Sequence, residues 1–224
     1  MQQPSLEEHI RDTYFTLRIG IAVIAIVFPL LLWIGGRFYA GLPLQDSMSA
    51  YYHAAIDGRS MRNWFVGILF AVGVFLYLYK GYSNRENYAL NLAGVMAVGI
   101  AVFPMEWNCG SECAKYSAHG ICAVIFFLSI AFVCVRCSPD TLRLIKDEDV
   151  REKYRNLYVG LASTMVISPL IAFLINALFR QHGSLVFYIE AVGIFAFAGY
   201  WLTKSRELSL TQAEKRALHG ELDV

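Results

Sequence analysis

The stretch "LRIGIAVIAIVFPLLLWIGG" (residues 17–36) decides the fold. Its only charge is Arg18, at the second position. Helical residues rise about 1.5 Å each, so a run of this length reaches roughly 30 Å, the thickness of a bilayer's hydrocarbon core. The stretch therefore reads as a membrane span. Five more apolar runs follow, at 64–79, 89–105, 119–135, 157–179 and 185–203. The second is short between its charged boundaries and is expected to extend by a turn. Across all 224 residues, 57% are hydrophobic and 17% charged, against about 25% charged in soluble domains. The expectation is an all-α, polytopic integral membrane protein with six transmembrane helices in one domain, 1–224. The first 16 residues are polar and acidic and show no cleavage site, so the first span is expected to remain in the mature chain.

Lysine and arginine set the orientation. Residues 1–18, 80–85, 136–155 and 204–216 hold fourteen of them; the alternate loops hold five, Arg37, Arg59, Arg62, Lys115 and Arg180. Both termini are thus expected in the cytoplasm, with the chain in a plasma (inner) membrane. The formal charge of +1 gives no reason to expect a nucleic-acid partner.

Ser5 and Glu8 fit a capping box, which predicts a helix over 1–16 running toward or into the first span. The cytoplasmic loop 138–156 is read as a solvated helical turn or two, and 207–224 as a tail with a short surface helix capped by Ser209 or Thr211 and ending near Gly220. Ala89, Ala93, Ala97 and Ala101 recur every fourth residue beside Gly94 and Gly99. Such a stripe predicts close helix packing. Pro29, Pro104 and Pro169 are expected to kink or end their helices.

Polar chemistry gathers on the outer side. The first outer loop contains "SMSAYYHAAIDGRSMRNW" (47–64), where Ser49, His53 and Asp57 fall at i, i+4 and i+8. A short amphipathic helix capped by Asp46 or Ser47 would align them in one row. Glu106, His119, His182 and Glu190 are expected at the same depth, with Arg62 as a partner for Glu190 or Asp57. Ionisable groups at such depths pair, line a cavity or bind something. His53, His119 and one of Asp57 or Glu190 could hold a zinc ion and its water, with Ser49 and Arg62 orienting substrate or stabilising charge. The alternative is a structural network tying loop to bundle. A haem held by His53 and His119 is a third reading. Cys109 and Cys113 read as a disulfide in the outer loop; Cys122, Cys134 and Cys137 read as apolar-face residues.

The segments S-M-S-x-Y-Y-H (47–53), R-N-W-F-V-G (62–67), Y-K-G-Y (79–82), A-V-F-P (101–104), H-G-x-x-A-x-x-F-F (119–127) and E-A-V-G-x-x-A-F-x-x-Y-W (190–201) resemble a bacterial family of six-span membrane proteins of unknown function, loosely similar to DRAM-like proteins. That resemblance implies six spans and assigns no activity. Ser49 and His53 also match the S-x3-H element of the CREST membrane hydrolases, which include alkaline ceramidases. Asp57 stands near that superfamily's aspartate, and His182 and Glu190 stand where it has H-x3-H. This second resemblance implies zinc-dependent hydrolysis of a lipid or lipid-like substrate. The competing expectation is a non-catalytic membrane protein that binds a lipid headgroup, a small solute or an ion.

Overall fold

Ser5 opens the first helix as its sequence predicts: its Oγ accepts the Glu8 N–H at 3.2 Å while Glu8 Oε2 accepts the Ser5 N–H at 2.9 Å. This computed structural model describes residues 5–107, 117–178 and 183–220. Among them, α1 (Leu6–Leu30) passes through a π turn (Leu31–Gly35) into α2 (Gly36–Tyr39). The helix expected over 1–16 is present from Leu6 and is continuous with the first apolar run. Pro29 lies inside α1 and supplies no N–H to the ladder. The wider π turn follows two residues later, a common accommodation of such a break.

Beyond the outer loop come α3 (Arg62–Leu78), α4 (Asn84–Val102), α5 (Ala118–Phe132), a second π turn (Val133–Cys137), α6 (Ser138–Leu142), α7 (Glu148–Leu178), α8 (Leu185–Thr211) and α9 (Ala213–Leu218). The helix α3 starts two residues before the apolar run and ends one residue before it does, so the extension by a turn expected from the sequence is not seen. Residues read as a solvated loop are instead the first turns of α7, whose start is capped by Asp147 Oδ1 accepting the Asp149 and Val150 N–H groups at 3.0 and 3.2 Å. Ser209 and Thr211 do not cap a tail helix. Their hydroxyls donate back to the Ser205 and Glu207 carbonyls within α8, and the chain breaks at Gln212, with φ at 49°, before α9. Gly220 does close that last helix, at φ 70°.

Four helical stretches among the described residues are long and apolar enough to cross a membrane: Leu6–Tyr39, Ala118–Leu142, Glu148–Asn176 and Leu185–Thr211. Arg62–Leu78 is a shorter apolar helix. Each long helix packs on the next, α3 on α4, α4 on α5, α5 on α7 and α7 on α8, and both α3 and α8 lie against α1. The bundle is thereby closed. The alanine stripe faces inward, with Ala93, Ala97 and Ala101 buried. At the crossing of α3 and α4 a Cβ on Gly73 would lie 2.8 Å from the Gly94 carbonyl oxygen, so the two backbones nearly touch. Large apolar side chains such as Val27, Val74, Val124, Leu170, Phe173 and Val192 point outward, as a lipid-facing surface requires.

Hydrogen bonds define the two ends of this bundle. One end gathers the 44–54 loop, the last turn of α4 and the first turns of α5 and α8; the other gathers α9, the starts of α4 and α7 and the end of α8.

Candidate functional site

The loop between α2 and α3 does not form the expected amphipathic helix. Ser47 Oγ does cap a turn, accepting the Ala50 N–H at 3.1 Å, but the 3-10 helix it starts spans only Ser49–Tyr52. A two-residue hairpin replaces the rest, β1 (Ala55–Ile56) against β2 (Arg59–Ser60). The reason is Asp57-Gly58, whose φ values of 51° and 76° suit the tight turn that Asp-Gly pairs favour between twisted strands. Asp57 is therefore exposed at a turn tip and is not in one row with Ser49 and His53.

Arg62 meets neither expected carboxylate partner in a salt bridge. Its Nε donates to the Tyr52 carbonyl at 2.8 Å and its guanidinium lies 4.7 Å above the Tyr52 ring. Glu190 is taken by the loop backbone, with Oε2 accepting the Met48 N–H at 2.6 Å. The Phe187 N–H donates to the Asp46 carbonyl at 3.0 Å, and Ser184 Oγ to the Leu44 carbonyl at 3.3 Å. These three bonds fix the loop to the start of α8.

The two histidines close the end of α4. This helix stops at Phe103 because Pro104 follows, and its last carbonyls then lack intrahelical partners. His119 Nδ1 lies 2.9 Å from the Phe103 oxygen and 3.2 Å from that of Ile100. Carbonyls only accept, so Nδ1 carries the proton. Neutral His119 then presents a lone pair on Nε2, and that atom lies 2.8 Å from Ser49 Oγ. His119 is buried and Ser49 half-buried, so the pair sits at the lip of the bundle. His53 Nε2 donates to the Met105 carbonyl at 2.9 Å, and its ring stacks on Trp107 with centroids 5.3 Å apart and planes 15° from parallel.

The donors proposed for zinc are thus each engaged by the protein: His53 by Met105, His119 by Phe103 and Ser49, Glu190 by Met48. Among the described residues no three of His, Cys, Asp and Glu converge as a ligand set. Cys109, Cys113 and His182 lie outside the described residues. Glu106 is exposed and held by an interaction of its own. Cys122, Cys134 and Cys137 are buried free thiols, in keeping with their reading as apolar-face residues.

No family model, curated protein or solved structure matches this chain. The site must be read from its own geometry.

A second polar cluster, at the opposite end, escaped the sequence reading. Arg18 Nη2 pairs with Glu214 Oε1 at 2.7 Å, and its other nitrogens reach Tyr79 Oη at 3.3 Å and Ser205 Oγ at 3.2 Å. Lys204 Nζ donates to Glu207 Oε2 at 2.9 Å and to Thr141 Oγ1 at 2.6 Å, and the Tyr158 hydroxyl donates to the same Glu207 oxygen at 2.8 Å. Arg18 and Lys204 had been counted only toward orientation. The Lys204–Glu207 spacing of three within a helix was the available signal that they turn inward together.

Proposed function

We propose that the chain is a six-span plasma-membrane protein of bacterial type, with both termini cytoplasmic, whose outer face hydrolyses an ester or amide of a lipid-like substrate with Ser49 as nucleophile and His119 as base. One observation carries this reading: Ser49 Oγ lies 2.8 Å from His119 Nε2, while Nδ1 is fixed on a backbone carbonyl. A nucleophile, a base and an orienter in that order are the recurring parts of acyl transfer. His119 would take the Ser49 proton as Oγ adds to the acyl carbon. It would return that proton to the leaving oxygen or nitrogen, and water would reverse the sequence. The Phe103 carbonyl plays the part a carboxylate plays elsewhere, holding the ring in one tautomer. Arg62, exposed against Tyr52, would meet an anionic headgroup.

A second reading has its own support. Several bonds at this end tie the loop to the bundle, Met48 to Glu190 and Phe187 to Asp46 among them, which is what a non-catalytic scaffold or headgroup-binding surface would need. A fluorophosphonate probe separates the two. Hydrolysis predicts labelling of the wild type and none of Ser49→Ala. His119→Asn keeps an N–H for the Phe103 carbonyl and lacks the base, so it should fold while losing about 10²–10⁴-fold in labelling rate. Wild-type protein that stays unlabelled, with Ser49→Ala changing stability alone, leaves the non-catalytic reading. Elemental analysis of the same samples tests zinc: near-stoichiometric metal lost in both His53→Ala and His119→Ala would replace the Ser–His mechanism.

A further inference from the structure

The cytoplasmic-end cluster is unbalanced in charge. Arg18, Lys204, Glu86, Glu207 and Glu214 are all buried, with exposures of 1%, 1%, 3%, 0% and 7%. Two cations thus meet three carboxylates. Arg18 takes Glu214 and Lys204 takes Glu207. Among the described residues Glu86 makes no ion pair; its Oε2 accepts a hydrogen bond from the Tyr82 N–H at 2.8 Å. Buried carboxylates stay ionised when two or three such donors or a close cation hold them.

The chain also covers this carboxyl closely. A Cβ on Gly81 would lie 2.7 Å from Glu86 Oε2, so the loop between α3 and α4 passes directly over this side chain. The loop is fastened there by the Gly81 N–H donating to Asn87 Oδ1 at 2.7 Å and by Ser83 Oγ accepting the Glu86 N–H at 3.3 Å. Water is kept out on that side. The ionisable groups that act on Glu86 across the packing are Lys204 and Glu207 of α8 and Asp140 of α6. Cys134 and Cys137 of the second π turn, and Tyr79 and Tyr200, also sense it. Lys204, the sole cation among these, is already bonded to Glu207 and Thr141.

We propose that Glu86 is a proton-binding site at the cytoplasmic end, filled in the closed state of the Gly81 loop. The step adds one proton from the cytoplasmic water to one carboxylate oxygen, converting a buried anion to a neutral acid and bringing the cluster to charge balance. No other bond changes. Release of that proton would leave an unpaired buried anion, whose rehydration requires the loop over it to lift.

Infrared difference spectroscopy on protein in lipid nanodiscs tests this. At neutral pH the wild type should show the carbonyl band of a protonated carboxylic acid above the amide I band. With Glu190→Gln as the shared background, Glu86→Gln should lose it and Glu207→Gln should keep it. Stability gives a second readout. A group protonated in the fold and ionised in the unfolded chain at neutral pH stabilises fully at low pH and loses that contribution as pH rises through its folded value. The wild-type melting temperature should therefore fall into the alkaline range, and the Glu86→Gln profile should be flatter. An amide imitates the protonated acid, so failure of Glu86→Gln to fold would overturn the proposal. A band that survives in Glu86→Gln, or vanishes only in Glu207→Gln, would do the same.

Discussion

Gly94→Ala tests how closely α3 and α4 must approach. A Cβ on Gly94 would lie 2.6 Å from the Gly73 carbonyl oxygen and 3.0 Å from the Tyr77 nitrogen. Carbon–oxygen contacts between helices settle at about 3.3 Å or more. The helices must therefore part locally by roughly 0.7 Å to reach that contact, because backbone atoms have no rotamer through which to escape. Overpacking of this kind costs about 1–3 kcal/mol. The upper half of that range is expected here. Gly67 lies on the same α3 with no heavy atom within 4 Å of its built Cβ. Gly67→Ala should be neutral or stabilising by about 0.5–1 kcal/mol, as for any helical glycine. Equilibrium unfolding in mixed dodecyl sulfate micelles, followed by tryptophan fluorescence, compares the two. The Gly73→Ala/Gly94→Ala double variant should lose less than the sum of its parts, since the first separation makes room for the second methyl. Equal stability of Gly94→Ala and Gly67→Ala would refute the close crossing.

Four more outcomes follow from the geometry. Arg18→Ala strands Glu214 and should cost about 3–5 kcal/mol, whereas Arg18→Met with Glu214→Leu should recover most of it in the same unfolding assay. Glu190→Gln keeps an acceptor for the Met48 N–H and should change little; Glu190→Leu removes it, should cost about 1–3 kcal/mol, and should speed hydrogen exchange across residues 44–54 by mass spectrometry. Gly58→Ala should lose about 1–2 kcal/mol because the turn holds φ at 76°. Asp57→Asn, at the exposed turn tip, should leave stability and probe labelling unchanged, and loss of labelling there would contradict the position of Asp57.

Hydrophobic run length made the long helices legible in the sequence, and the i+4 stripe of Ala93, Ala97 and Ala101 disclosed the packing face of α4. Helix-like spacing misled at Asp57. Ser49, His53 and Asp57 fit a helical row, but Asp57-Gly58 is a stronger local instruction, and turn chemistry prevailed over periodicity. The meeting of Ser49 with His119 was legible only as shared depth. Their bond depends on where Pro104 stops α4, since the freed carbonyl of Phe103 orients the ring. The network of Arg18 and Lys204 was not legible for a different reason. Lysine and arginine near span ends ordinarily reach toward water, and only the fold turns Arg18 and Lys204 inward onto Glu214 and Glu207.

The helix α4 belongs to both clusters. Its outer carbonyls hold His119, and its first turn presents Glu86 beneath the Gly81 loop. With 19 residues it is a rod about 28 Å long. A tilt or slide of α4 at its first turn would move the Phe103 carbonyl that orients the His119 ring, so one helix joins the packing around Glu86 to the hydrogen bond at the other end of the bundle.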